Sequence, residues 1–298
     1  MNRNDIQRSL RLLDYDSYEI RVINPNSISS QIIHSFSELS SLCQKHDGLS
    51  NLYVGINERN MINATKQDIQ AVNFVVIDLD SVRADTKQPA NQPELDATIQ
   101  ASQVIMDWFA DHGFSSPVRA ISGNGCHIWT RIPRLPLTGL EMTTQWESRV
   151  KQFYLQIESV LPNDLQQKVK IDPIQDVTRI IKLIGTTSVK SDPTDDRPNR
   201  VSSWLDNPES TVADRKLFDH INSLKPEVQI KSAPTLHFGT DQLSDKEQKI
   251  LDAASSSYHI QKARLETDLT DSNYSKISIQ EIAMIDGKFF LHSSKKSF

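Results

Sequence analysis

The sequence predicts a mixed α/β chain, and three observations carry that expectation. The run FVVIDL at 74–79 is apolar, largely β-branched and ends in acid, the pattern of a buried strand. Two stretches, 101–109 and 146–160, repeat apolar residues at helical spacing. Between them, Gly123-Asn124-Gly125 separates two short apolar runs and reads as a hairpin turn.

The elements follow in order. Residues 51–57, NLYVGIN, predict a first strand and 74–79 a second. The polar stretch 81–95 reads as a loop. Ala101, Val104, Ile105, Trp108 and Phe109 share one helical face, and Gly113 is placed to stop that helix. Residues 117–121 and 126–132 form the hairpin strands. Trp146, Val150, Phe153, Tyr154, Ile157 and Val160 mark a second amphipathic helix, stopped by Pro162. Short apolar runs mix with basic residues over 170–190, and 191–199 is a polar loop. A strand at 200–205 and a helix near 211–223 close the main domain. Beyond about residue 225 large apolar residues thin out, and Ser244-x-x-Glu247 is a capping-box signature for a helix at 245–254. The expected domains are therefore 1–225 and a linker with a small, mostly helical or loose appendage at 226–298. The last residues, SSKKSF, read as an arbitrary end, so a longer parent chain is expected.

Composition limits the function classes. The chain has 298 residues, 37% of them hydrophobic and 24% charged, which suits neither a disordered nor a membrane protein. Its two cysteines, Cys43 and Cys126, exclude a disulfide framework and the usual structural zinc sites. No apolar signal segment opens the sequence and no run reaches the ~20 residues of a membrane span. A reducing, cytoplasmic location is the expectation. The net charge of -5 argues, at face value, against nucleic acid. Its distribution argues otherwise. Between Asp111 and Glu141 lie Arg119, Arg131 and Arg134 and no acid, and 168–190 holds five basic residues against Asp172 and Asp176.

Three clusters carry chemistry. In Asp78-Leu79-Asp80, residues i and i+2 of a strand face one side, so both carboxylates can meet one Mg²⁺ or Mn²⁺ site. In Ser122-Gly123-Asn124-Gly125-Cys126-His127, the glycines allow close backbone approach to an anion, and Ser122 and His127 can donate to phosphate. Each alone is as readily a solvated strand end or a plain turn. The third, from Lys170 to Lys190, adds Asp172 as a third carboxylate and Arg179, Lys182 and Lys190 as cations. Together they are the parts needed for metal-dependent nucleotidyl transfer, with two metals ~3.5–4 Å apart and cations holding the triphosphate.

On these motifs, hhhDhD, then SGxGxH, then hhD followed by TRxxKxxGTxxxK, the chain resembles the archaeo-eukaryotic primase superfamily. The likeness is to the primase-polymerases of plasmids, viruses and CRISPR-linked loci. It runs over about 5–205 and matches at Asp78, Asp80, Ser122, Gly123, Gly125, His127, Asp172, Arg179, Gly185, Thr186 and Lys190. EIRVINP at 19–25 and YVGINERN at 53–60 resemble that group's N-terminal unit. The resemblance implies an RRM-like antiparallel catalytic sheet, about 71–205, joined to an N-terminal α/β unit, about 1–70. It implies Asp78, Asp80 and Asp172 as catalytic metal ligands. Ser122, Gly123, Asn124, Gly125, His127, Arg179, Lys182, Lys190 and Arg59 would bind the nucleotide. The activity implied is template-directed synthesis by a primase, a DNA polymerase or both. Its partners would be single-stranded or primed DNA, dNTPs or NTPs, and a helicase or other replication or defence protein. No membrane, zinc or organic cofactor is expected. Two positions depart from the pattern: Lys182 stands where the family has arginine, and Ile184 where it has proline. Lysine neutralises phosphate but lacks the bidentate fork.

Two other readings compete. Asp78-Leu-Asp80-Ser-Val82 also fits the nucleophile motif of haloacid-dehalogenase-type phosphohydrolases, with Asp78 as nucleophile and Asp80 as acid/base. That motif usually opens its fold, whereas some 70 residues precede it here. A non-catalytic nucleic-acid-binding accessory needs exposed aromatics, and no aromatic-basic motif is visible. An end-joining repair polymerase remains within the superfamily.

Overall fold

A computed structural model describes residues 1–226 and, in the C-terminal unit, the backbone of two strands. The chain divides into two compact units, Met1–Glu227 and Val228–Phe298.

The first unit opens with α1 (Arg3–Leu13), capped by the Asn2 side chain, which accepts from the Asn4 and Asp5 N–H groups. β1 (Tyr18–Asn24), β2 (Ser27–Ile33) and β3 (Asn51–Gly55) follow, with α2 (Phe36–His46) between the last two. They form an antiparallel sheet in the order β2-β1-β3-β8, where β8 is Ile180–Lys182. Strand alternation sorts its faces. Ile20, Val22, Leu52 and Val54 enter the core, while Arg21, Ile23, Asn51 and Tyr53 line a cleft.

The second sheet is built from β4 (Ala71–Ser81), α3 (Gln92–Asp111), β5 (Val118–Ile121), β6 (Gly125–Pro136), α4 (Leu140–Val160), the short α5 (Asn163–Gln166) and β7 (Val169–Asp172). Setting aside the single turn of α5, this is β-α-β-β-α-β. Its antiparallel order β5-β6-β4-β7 is the split βαβ arrangement of RRM-like sheets. The expected RRM-like antiparallel sheet is therefore present. Helices α3 and α4 cover one face, where Ile105, Phe109, Phe153 and Ile157 are buried. β9 (Thr187–Ser188) pairs with β10 (Arg200–Val201), and β11 (Ser203–Trp204) extends the second sheet beside β5. After a short 3₁₀ turn, α6 (Arg215–Ser223) packs on α4 and β6.

Three elements differ from the sequence expectation. α3 begins at Gln92, inside the expected loop, because Asn91 and Glu94 form a capping box with Pro93 in the first turn. The single strand expected at 200–205 is two bridges. Between them Ser202 is buried and its hydroxyl donates to the Thr186 carbonyl, so the chain changes partner there. In the C-terminal unit the described residues are β12 (Ile277–Ile285) and β13 (Lys288–Lys295), an antiparallel pair rather than helix. The alternating, β-branched ISIQEIAMI and the Asp286-Gly287 pair are hairpin signals. The helix expected at 245–254 lies outside the described residues. Among the described residues no helix is long and apolar enough to cross a membrane.

Candidate active site

The site lies on the sheet face opposite α3 and α4, and strand register assembles it. Asp78 on β4 is directly opposite Asp172 on β7 and, on its other side, opposite His127 on β6. Cross-strand partners share a face, so a carboxylate, a second carboxylate and an imidazole stand in one row. Two residues on, Asp80 stands between Gly125 and Lys170 in a second row. The three expected carboxylates are thus brought together although 94 positions separate Asp78 from Asp172 in the sequence.

The electrostatics of this group are tense. Burial first, then the Asp78 and Asp172 charges, push the Asp80 carboxyl up to about 6. Lys170 partly relieves the crowding: its ammonium is 2.8 Å from Asp172 Oδ1 and 3.8 Å from Asp80 Oδ2. His127 is 2% exposed, and its Nε2 lies 3.3 Å from Asp78 Oδ1. Asp78 Oδ1 and His127 Nδ1 are both buried without a hydrogen-bond partner. Among the described residues no group of three or more His, Cys, Asp or Glu is drawn together as a formed metal centre. The donor set nevertheless fits a hard divalent cation. It offers carboxylate oxygens only, one of them orphaned, in a crowded negative group that a cation would neutralise.

The carboxylates open into a cleft of about 520 Å³ between the two sheets of the first unit. Tyr53 lines one side, and burial followed by the Asp78 and Asp80 charges raises its phenol. Arg83, Ser122, Asn124, Arg179, Lys182 and Lys190 line it as well. Neither Arg179 nor Lys190 is held in an ion pair among the described residues. Lys182 is different. Its ammonium donates to the Thr187 carbonyl at 2.7 Å and lies 5.8 Å from the Tyr53 ring centre. Burial holds it down to about 7, against the raising effect of Asp47 and Cys43. An amine that surrenders its charge near neutrality is a weak phosphate anchor, so the lysine-for-arginine departure matters here.

The Ser122–His127 turn owes its shape to packing. Gly123 has φ +107°, and a Cβ there would lie 2.4 Å from Ser188 Cβ. At Gly125 a Cβ would lie 2.1 Å from the Leu79 carbonyl oxygen, so only glycine lets β6 close on β4 beside Asp80. The Asn124 side chain is committed internally: its oxygen accepts from the Ala90 N–H and its amide donates to Ser188 Oγ. Asn124 thus locks the turn, a different task from the nucleotide contact expected of it. Gly185 and Thr186 are likewise structural: the Asn2 N–H donates to the Gly185 carbonyl, and Thr186 is fully buried.

Arg59 is the clearest correction. Expected to touch the nucleotide, it is 1% exposed and its donors are all used inside the protein. Nη1 donates to Glu19 Oε2 and to the Thr178 carbonyl, each at 2.9 Å. Nε donates to the Asn57 carbonyl, and Nη2 to the carbonyls of Arg179 and Val177. Glu19 is also fully buried and accepts from Arg21 and the Asn63 N–H. Burial alone would raise the Glu19 carboxyl. The Arg21 and Asn63 hydrogen bonds, with the Arg59 and Arg21 charges, hold it below its ordinary value. Arg59 therefore staples the 177–179 segment that delivers Arg179 to the cleft. Its EIRV and GINER surroundings gave no sign of the ion pair, because Glu19 lies 40 positions away in the sequence. Arg83 was missed for the opposite reason: it sits in a polar loop with no motif around it.

Comparison with known proteins is sparse. No family model matches the sequence, and no curated protein matches it. Solved structures similar to the chain include primase RepB′, at TM-score 0.40 and 13% identity over 71% of this chain and 58% of that one. The chain thus spans less than two thirds of that protein. The catalytic domain of primase RepB′ in complex with initiator DNA matches at TM-score 0.40 and 14% identity, covering 71% of this chain and 87% of that one. The polymerase domain of Mycobacterium tuberculosis Ligase D in complex with DNA matches at 0.39 and 14%, covering 74% and 86%.

Proposed function

We propose that this chain is a DNA-directed nucleotidyltransferase, a primase, a polymerase or both. The observation that supports this reading is the alignment of Asp78 with Asp172 on neighbouring strands, with Asp80 two residues on. All three face a cleft that also holds Arg83, Arg179 and Lys190. Carboxylates crowded into one face, with cations around them, suit a triphosphate whose charge must be both neutralised and aligned. Mg²⁺ or Mn²⁺ held by Asp78, Asp80 and Asp172 would supply Lewis-acid activation of an attacking hydroxyl and charge neutralisation of the leaving pyrophosphate. The chain's own residues orient the substrate. Arg179, fixed from behind by Arg59, donates to phosphate oxygens. His127, buried beside Asp78 with its Nε2 3.3 Å from Asp78 Oδ1, backs that carboxylate rather than lining the cleft. Ser122, at the head of the locked turn, adds a hydroxyl.

The superfamily resemblance of the motifs agrees with this reading. The phosphohydrolase alternative leaves Asp172, placed opposite Asp78, without a task. The test is incubation of the full chain with single-stranded or primed DNA, Mn²⁺ or Mg²⁺ and labelled dNTPs or NTPs. Products on unprimed template indicate priming, and products only on primed template indicate extension. Release of inorganic phosphate from a simple monoester, with no nucleotide incorporated, supports the hydrolase instead.

A further inference from the structure

Arg83 follows β4 by two residues and lines the cleft together with Asp80, Ser122, Ser188 and Lys190. Its Nε and Nη1 are enclosed and have no hydrogen-bond partner. A guanidinium is always charged, and enclosing its donors without an acceptor is among the more costly arrangements in a folded chain. The nearby acids do not resolve it. Glu94 is occupied by a bidentate pair from Arg197, at 2.7 and 2.8 Å. Asp80 feels Arg83 only through space. Arg83 also acts on a second cation, adding to the burial that lowers Lys190. Ser188 Oγ accepts from Asn124, which leaves its own proton to be donated. Two like charges and a spare hydroxyl therefore line the cleft beside Asp80, whose carboxylate acts on both cations but takes no hydrogen bond from Arg83 Nε or Nη1. Arg179 acts on different neighbours, Tyr53, Tyr154 and Asp176, so it is a separate cationic point.

We propose that Arg83, with Lys190, forms an anion subsite that grips a phosphate group of the nucleoside triphosphate, the planar Arg83 fork supplying the directed hydrogen bonds. The inference rests on the nucleotidyltransferase reading for the identity of its ligand, but not for the existence of the subsite. An anion bearing several oxygens satisfies the orphaned Nε and Nη1 together, which a carboxylate already paired elsewhere cannot do.

The experiment is calorimetric titration of the full chain with inorganic tripolyphosphate, and in parallel with dATP, without divalent metal. The parent is expected to bind both, and Arg83→Gln to bind each at least ~10-fold more weakly. Arg83→Lys should recover only part of the loss, since it keeps charge but not the fork. Arg215→Gln, on the exposed pair with Asp219, should change nothing. The unfolding midpoint of Arg83→Gln should equal or exceed the parent's, because an unsatisfied buried charge is gone. Unchanged tripolyphosphate affinity in Arg83→Gln overturns the subsite, as does failure of the parent to bind. Arg83-dependent tripolyphosphate binding without nucleotide incorporation on any template would sustain the subsite and sink the transferase reading. Normal incorporation by Arg83→Gln with unchanged dATP binding would do the reverse.

Discussion

Replacing Arg59 by methionine tests the link between the buried ion pair and the cleft. The substitution keeps most of the aliphatic volume and removes five hydrogen bonds, one to Glu19 and four to backbone carbonyls at Asn57, Val177, Thr178 and Arg179. Breaking a buried pair from one side costs ~3–5 kcal/mol, because the remaining charge stays buried. Arg21 and the Asn63 N–H still serve Glu19, which places the expected loss near ~3 kcal/mol. In a unit of this size that lowers the thermal midpoint by ~6–12 °C. Glu19→Gln combined with Arg59→Met should lose less than the sum of the two single changes, since no uncompensated carboxylate remains. The assay is urea unfolding followed by tryptophan fluorescence, with nucleotide affinity measured where the variant is folded. Affinity should fall because the 177–179 segment loses its staple. A loss under ~0.5 kcal/mol, with unchanged nucleotide affinity, would refute the stapling argument.

Other outcomes follow from single groups. Asp80 titrates at about 6, above its unfolded value, so the native state holds the extra proton between about pH 4 and 6 and stability declines as pH rises through that window. Metal-free Asp80→Asn should therefore exceed the parent by ~1–2 kcal/mol above pH 6, allowing for solvent access, and lose that advantage below pH 4, as read by denaturant melts. Adding Mn²⁺ should stabilise the parent and not this variant. Lys182 is held down to about 7, so the unfolded state binds more protons between about pH 7 and 10 and stability rises with pH there. Lys182→Met should be the more stable protein at pH 6, by ~1–3 kcal/mol, and its margin should shrink toward pH 10. Gly125→Ala forces a Cβ onto the Leu79 carbonyl; it should cost ~1–3 kcal/mol and displace Asp80, lowering turnover more than stability alone explains.

Local chemistry made part of this molecule legible. FVVIDLD announced β4 and its paired acids, because a continuous β-branched run and the acids that end it are local properties of one strand. The Gly-Asn-Gly turn and the helical stripes around Trp108 and Phe153 were legible for the same reason. What joins Asp78 to Asp172 is register between strands far apart in sequence, and no periodicity encodes it; only the motif order of a resembling family suggested the trio. Arg59 and Lys182 show the opposite failure. Their positions in motif-like surroundings pointed to phosphate, yet Glu19 and a set of carbonyls claimed one, and burial near Thr187 disarmed the other. Arg83 had no motif and became visible only as a charged group whose donors lack acceptors. The net charge of -5 misled because it says nothing of placement: Arg21, Arg83, Arg179, Lys182 and Lys190 meet the four carboxylates Asp78, Asp80, Asp172 and Asp176 in one cleft lining, while residues 201–298, with 14 acids and 12 bases, contribute only -2.

The most direct measurement of the central claim is incorporation of labelled nucleotide by the full chain on single-stranded and primed DNA with Mn²⁺ or Mg²⁺, beside a variant carrying Asp78→Asn and Asp172→Asn. The account predicts metal-dependent products from the parent and none from the folded variant. Products of equal yield from both, or none from the parent under any combination of template, nucleotide and metal, would contradict it.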